Sequence, residues 1–226
     1  MALRILYLHG LGGSPRSSKG LLVAAHFKRR GIETELPALA IPSLQELSPL
    51  SIVQFVTDDL ARMTKCGPVA LVGSSFGAFV AMHALTRASE PSLSQVQAVA
   101  LLAPVFDPWD EGSTMLSPEI ERRWKLDGSY PILDLENQRP VPIHYRFVEE
   151  LQELSVAQTP SAKPTLIIHG RRDTTVSPAQ SERAVKGKSN VQLEVLDDDH
   201  RLLAQPERLM GLLEDFILKR ASSPPE

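Results

Sequence analysis

Ser75 stands at the centre of Gly73-Ser74-Ser75-Phe76-Gly77, a match to the pattern G-x-S-x-G. A serine hydroxyl is a poor nucleophile near neutral pH, so it needs a base to accept its proton and a third group to fix that base's tautomer. Two later loops offer both. Asp173 follows an apolar run that ends in His169-Gly170, and His200 follows the run Val191 to Leu196 through Asp197-Asp198-Asp199. Taken in the order Ser75, Asp173, His200, these side chains have the types required for acyl transfer through a covalent intermediate. The bland alternatives are specific too. Small residues cluster by chance, Asp173 could merely brace a turn, and Asp197, Asp198 and Asp199 read as solvated charges, any one of which could replace Asp173 as the acid.

Context favours the chemical reading. Pro68 and the apolar run Val69 to Val72 precede the pentapeptide, and Phe76 to Leu85 is an apolar segment of helix length. Strand, turn and helix thus come in the order of a nucleophile elbow, where a strained turn pushes the hydroxyl out at the sheet edge. Gly73 and Gly77, two residues to either side, relieve the crowding there.

Acyl transfer places negative charge on the carbonyl oxygen, and one backbone N–H aimed at it is worth about 3–4 kcal/mol. The residue after the nucleophile, Phe76, is the expected first donor. The second is Leu11, which follows His9-Gly10 at the end of the first apolar run. Gly12 and Gly13 let that loop come close, and His9 reads as shaping it. A phosphate cradle fits less well: G-x-G-x-x-G fails at Pro15, and the Walker-like Gly187-Lys188-Ser189 has Glu182 where the first glycine must stand.

These loops need strands to carry them. Leu3 to Leu8 is continuously apolar, as a strand covered on both faces should be. A helix from about Ser17 to Arg30, closed by Gly31, leads to a brief strand around Thr34 to Leu36. Ser48-Pro49 caps a helix whose buried stripe is Ile52, Val53, Phe55, Val56, Leu60 and Met63. Beyond the elbow come strand Val96 to Ala103, strand Thr165 to His169, helix Pro178 to Lys186, strand Val191 to Leu196 and a helix from Pro206. Leu209, Leu212, Leu213, Phe216 and Ile217 give that last helix one apolar face. Such alternation implies an α/β fold: a compact parallel sheet of about six strands with helices on both faces. Asp173, His200 and Ser75 would all lie at carboxyl ends of strands, where open sheets form their crevices.

About sixty residues separate Pro104 from Thr165, far beyond the usual α/β loop. Residues 106–160 are therefore expected to form a small helical cap inserted in a single domain of 1–226. Short and longer helices would start at Ser117-Pro118 and at Pro142, the latter burying Ile143, Phe147, Leu151 and Leu154 while Glu149, Glu150 and Glu153 point away. Trp109, Trp124, Phe106, Tyr130 and Tyr145 would pack this cap onto the body, or in part wall an acyl pocket. The tail, 221–226, is expected to be disordered.

With 42% hydrophobic and 23% charged residues and a formal net charge of -3, the chain is an ordinary globule with no basic footprint for nucleic acid. Its single cysteine, Cys66, allows no internal disulfide and suits a reducing compartment. The opening run is too short and too interrupted by Arg4 for a signal peptide, and no apolar run approaches a membrane span. A cytoplasmic protein is expected. No H-E-x-x-H, paired zinc spacing or calcium loop occurs, so neither a metal nor another cofactor is expected; oligomeric state is left open.

The ordered motifs resemble the α/β-hydrolases. Tyr7-Leu8-His9-Gly10 with Ser14-Pro15-Arg16-Ser17 and Lys19, together with Gly73 to Gly77, is similar to small bacterial YqiA-like esterases. The resemblance implies the α/β-hydrolase fold, a Ser75, Asp173, His200 triad and hydrolysis of short acyl esters, and the short aromatic-lined insertion suggests small to medium acyl groups. The resemblance also admits acyl thioesters, and carbon–carbon hydrolases and perhydrolases share the constellation. A non-catalytic ligand-binding protein of the same fold is the alternative from another class. Asp198 and Asp199 depart from the small residues that usually precede the histidine, which alters that residue's electrostatic surroundings.

Overall fold

The run Arg4–Leu8 forms β1, Glu33–Glu35 β2, Val69–Ser74 β3 and Val96–Leu102 β4, with Thr165–Gly170 and Val191–Leu196 as two later strands of the same sheet. In the computed structural model, which describes residues 2–111, 114, 116–154 and 163–221, a hairpin of β5 (Ser129–Asp134) and β6 (Arg139–His144) intervenes, so the later strands are β7 and β8. The main sheet has the order β2-β1-β3-β4-β7-β8 with every pair parallel. After β2 the chain returns across β1 to start β3, so the loops leaving β1 and β3 diverge and open a crevice at their carboxyl ends.

Alternation along the strands divides the core in two. Leu6, Leu8, Leu71, Val99, Leu101 and Ile167 face one cluster; Ile5, Tyr7, Val72, Ala100, Leu102 and Ile168 face the other. The first is covered by α2 (Pro49–Thr64) and α3 (Phe76–Arg87), the second by α1 (Ser18–Lys28) and α8 (Pro206–Ala221). Burial on both faces is why these strands are apolar throughout. The short α4 (Glu90–Gln95) leads into β4, and α7 (Pro178–Val185) connects β7 to β8. Ser48 caps α2, its hydroxyl accepting from Ser51 N at 3.2 Å, with Pro49 in the first turn as expected.

The insertion departs from an all-helical cap. It contains α5 (Pro118–Asp127), the β5–β6 hairpin and α6 (Arg146–Glu153). Pro142 begins no helix. It lies in β6 directly opposite Pro131 of β5, and in a two-stranded ribbon each proline can turn its missing N–H to the free edge. Asp134 closes the hairpin, its Oδ1 accepting from Glu136 N at 3.0 Å and Asn137 N at 3.1 Å. Phe147, Leu151 and Leu154 are buried as expected, but Glu150 does not point away. It is 3% exposed, accepts from Ser48 Oγ at 2.6 Å and Leu50 N at 3.2 Å, and pairs with Arg146. A carboxylate at the α2 N-terminus satisfies free N–H groups and the helix dipole together.

An aromatic chain ties the cap to the body. Trp124 donates to the Ile143 carbonyl at 2.7 Å and stacks on Phe147 with centroids 5.7 Å apart, and Phe147 meets Phe76 at 5.5 Å. Such pairs contribute about 0.5–1.5 kcal/mol each beyond area burial. Residues 112, 113, 115 and 155–160 of the expected insertion, and 222–226 of the expected tail, lie outside the described residues; Ala221 ends α8. No helix among the described residues is long and apolar enough to cross a membrane.

Candidate active site

Ser75 occupies the turn between β3 and α3 with φ 54 and ψ -120, a backbone region that a residue with a side chain enters only at a cost of about 1–3 kcal/mol. The turn is pinned on both sides. Ser75 N donates to the Leu102 carbonyl at 2.9 Å, and Ala78 N donates back to the Ser75 carbonyl at 2.9 Å. A Cβ on Gly73 would fall 2.6 Å from Ala78 Cα, and one on Gly77 2.3 Å from the Leu8 carbonyl oxygen, so both positions exclude any side chain.

Ser75, His200 and Asp173 meet. The Ser75 hydroxyl lies 3.0 Å from His200 Nε2, and His200 Nδ1 lies 2.7 Å from Asp173 Oδ2. An ionised carboxylate only accepts, so Nδ1 carries the proton and Nε2 presents its lone pair to the hydroxyl. The Asp173 side chain is fully buried and that of His200 is 23% exposed, so the chain of groups runs from the interior towards the cleft.

The two supporting loops are stitched together: Arg171 N donates to the Leu196 carbonyl at 2.8 Å and Arg172 N to the Asp198 carbonyl at 2.9 Å. Asp198 is not a solvated charge. It is 2% exposed and braces its own loop, accepting from Asp199 N at 2.8 Å and Ala204 N at 2.9 Å. Asp197 remains outside, paired with the exposed Arg172 at 2.9 Å.

Asp173 is held by four donors. Oδ1 accepts from Thr175 N at 2.8 Å and Val176 N at 2.9 Å; Oδ2 accepts from His200 and also from His169 Nε2 at 3.1 Å. Burial alone would raise this carboxyl, but the bonds from His169 and His200, the His200 charge and the Val176 N–H outweigh it and hold the group well below the usual carboxylate range. His169 carries no catalytic role in the sequence reading, where it is simply a strand-end residue. The signal was its i, i+4 spacing to Asp173 across a Gly-containing turn.

The loop after β1 packs on the nucleophile: a Cβ on Gly10 would sit 3.2 Å from Ser75 Cβ. His9 fixes its shape. Nδ1 donates to the Gly10 carbonyl at 2.9 Å and Nε2 accepts from Leu39 N at 3.2 Å, so the ring is neutral; burial, against the pull of the Gly10 bond, lowers its pKa. Leu11 follows at the cleft mouth, half-buried, and Phe76 begins α3, where its N–H has no intrahelical acceptor. Leu135 of the hairpin donates to the Gly12 carbonyl at 2.8 Å, which anchors the cap on this loop.

Space between the loop after β1 and Phe76 is small. The cleft lined by Leu11, Leu39, Leu44, Leu47 and Phe76 holds about 10 Å³, room for one water. A larger cavity of about 300 Å³ is lined by Pro42, Glu46, Ser48, Ser51, His144 and Arg146; neither space is lined by a triad side chain, and Leu47 borders both. Among the described residues no group of three His, Cys, Asp or Glu side chains could hold a metal ion.

The parallel sheet, the strained elbow and the serine–histidine–aspartate chain are features of one class, and residues 5–212 match the model of the alpha/beta hydrolase family. The chain belongs to the alpha/beta hydrolase family. Among solved structures it is similar to Est1E from Butyrivibrio proteoclasticus, seen with ferulic acid bound (17% identity, 98% of this chain and 90% of that one, TM-score 0.78). It is also similar to a monoacylglycerol lipase from Paleococcus ferrophilus (12%, 96% and 94%, TM-score 0.71) and a methylesterase from Arabidopsis (18%, 95% and 98%, TM-score 0.65). A search of curated proteins found no match.

Proposed function

We propose that this protein is a serine hydrolase of carboxylic esters, with Ser75 as nucleophile, His200 as general base and then general acid, and Asp173 as the group that orients His200. The observation that carries this reading is the unbroken run of bonds, 3.0 Å from Ser75 to His200 and 2.7 Å from His200 to Asp173, built on a strained elbow. Lipase and methylesterase neighbours of the same fold weigh towards ester substrates.

In this mechanism Ser75 Oγ attacks the ester carbonyl as its proton passes to His200 Nε2. Negative charge builds on the carbonyl oxygen, where the N–H groups of Leu11 and Phe76 receive it, each worth about 3–4 kcal/mol. Asp173 stabilises the imidazolium without itself taking the proton. Collapse expels the alcohol, protonated by His200, and leaves an acyl-Ser75 ester. Water, deprotonated by His200, then attacks and releases the acid. The narrow cleft beside Leu11 and Phe76 suits small acyl groups, since a longer chain there must displace the Leu39–Leu47 segment. A cytoplasmic setting goes with the single thiol.

Ser75→Ala should abolish hydrolysis of p-nitrophenyl acetate and labelling by a fluorophosphonate while leaving the circular dichroism unchanged; undiminished turnover would end the reading. Matched esters should exceed thioesters in kcat/KM, and the reverse order would move the substrate class to thioesters with the triad intact.

A further inference from the structure

We infer that His169 is a positioning residue for the proposed triad: its Nε2–H holds Asp173 Oδ2 in place and shares the lone-pair capacity that Oδ2 offers to His200. The inference rests on the serine-hydrolase reading and adds to it a fourth side chain, bonded to the same Asp173 oxygen as His200.

His169 is fully buried near the end of β7. Its Nε2 lies 3.1 Å from Asp173 Oδ2 and 3.1 Å from the Val176 carbonyl oxygen, while Nδ1 lies 2.7 Å from Ser181 Oγ of α7. A carboxylate and a carbonyl can only accept, so Nε2 carries the proton and Nδ1 accepts from the Ser181 hydroxyl. Every polar atom of the ring is therefore engaged, and its orientation is fixed from α7. On the other side, Asp173 Oδ1 is committed to two loop N–H groups, which set the carboxylate plane. Oδ2 receives two imidazole N–H groups, 2.7 Å from His200 and 3.1 Å from His169. Removing His169 leaves His200 as the sole side-chain donor to Oδ2 among the described residues. The carboxylate then gains freedom to tilt, and its charge acts more strongly on His200.

Two substitutions separate the donor from the packing. Glutamine can place an amide N–H near the position of Nε2; asparagine reaches only the position of Nδ1. His169→Asn should lower kcat by at least about tenfold with KM little changed, as expected when a catalytic geometry loosens. It should also move the acid limb of the kcat/KM profile to higher pH, and His169→Gln should restore both. The other charges near this pair, Lys19 of α1 and Asp198, Asp199 and Arg201 of the His200 loop, are the same in each variant. A purely structural role predicts lower Tm in both variants with kcat and the acid limb unmoved, and that result overturns the inference. In wild type labelled with 15N-histidine, His169 should show the Nε2–H tautomer; an Nδ1–H tautomer overturns the inference even if the variants do not fold. Loss of fluorophosphonate labelling in wild type would instead strike the serine-hydrolase reading itself.

Discussion

Lys19 Nζ lies 3.5 Å from the backbone carbonyl oxygen of His200, 181 residues further along the chain. The position is costly for a cation. Lys19 is the second residue of α1, where the helix dipole opposes positive charge, and it is largely buried. Burial lowers its pKa from 10.5 to about 8, against the charges of Asp173, Asp198 and Asp199, which support the ammonium. Between pH 8 and the unfolded value the unfolded chain binds the extra proton, so stability rises with pH across that window. Below about pH 8 the cost is fully present. Thermal melts of wild type and Lys19→Met should diverge in that window: the wild-type Tm gains on the variant by on the order of a few degrees between pH 8 and 10, and is level with pH below 8. A constant difference across the range would contradict the assignment.

Asp173→Asn should separate chemistry from folding. The amide keeps an oxygen for Thr175 N and Val176 N, but turns its NH₂ towards two imidazole N–H groups. To avoid donor facing donor, His200 must present its lone pair to the amide and its N–H to Ser75. The base is then lost, and kcat should fall about 10⁴-fold with KM within a small factor. The wild-type carboxyl is held below its usual range, so its stabilising contribution is complete above the unfolded value of about 3.9 and drains away as pH falls below it. Urea unfolding at pH 7, 5 and 3 should show wild type losing more stability towards pH 3 than the variant does.

The elements of the main sheet are legible in the sequence because burial on both faces makes β1, β3, β4 and β7 continuously apolar, and glycines and prolines punctuate their ends. The meeting of Ser75, Asp173 and His200 is legible for a related reason: parallel strands bring all their carboxyl ends to one edge. The hairpin is not, because Pro131, Pro140 and Pro142 are allowed only where a strand has a free edge, a condition that local sequence does not reveal. The burial of Glu150 is hidden for a similar cause. Its surface-like spacing on α6 hides the fact that the α2 N-terminus, about a hundred residues earlier, supplies its donors. The side chains of His169 and Asp198 bond within their own connections, to Asp173, Val176 and Ser181 and to Asp199 N and Ala204 N, and spacing this short reads in the sequence as ordinary turn chemistry.

Leu47 borders the narrow cleft at Phe76 and the cavity of about 300 Å³. Its side chain is 5% exposed, and Leu47→Ala should cost about 2–4 kcal/mol while joining the two spaces. The acyl range should broaden as a result. On p-nitrophenyl esters, the ratio of hexanoate to acetate kcat/KM is expected to rise severalfold; a ratio unchanged in a folded variant would place the acyl group elsewhere.

Gly77 is where the fold and the proposed chemistry constrain one atom together. An added Cβ would meet the carbonyl oxygens of Leu8 at 2.3 Å and His9 at 2.6 Å, backbone atoms at the end of β1 that cannot move without moving the Gly10–Leu11 loop. Overpacking ordinarily costs about 1–3 kcal/mol, and contact with backbone rather than a flexible side chain puts Gly77→Ala at the upper end or beyond. Activity should fall with stability, because the strain relaxes through the proposed Leu11 donor. Gly211→Ala is the matched control: in α8 its Cβ meets nothing within 4 Å, and the same substitution in a helix interior should stabilise by about 0.5–1 kcal/mol. Denaturant midpoints should move in opposite directions for the two alanines, with the proposed activity retained only in the second; a neutral Gly77→Ala would mean that the elbow does not press on β1 as described.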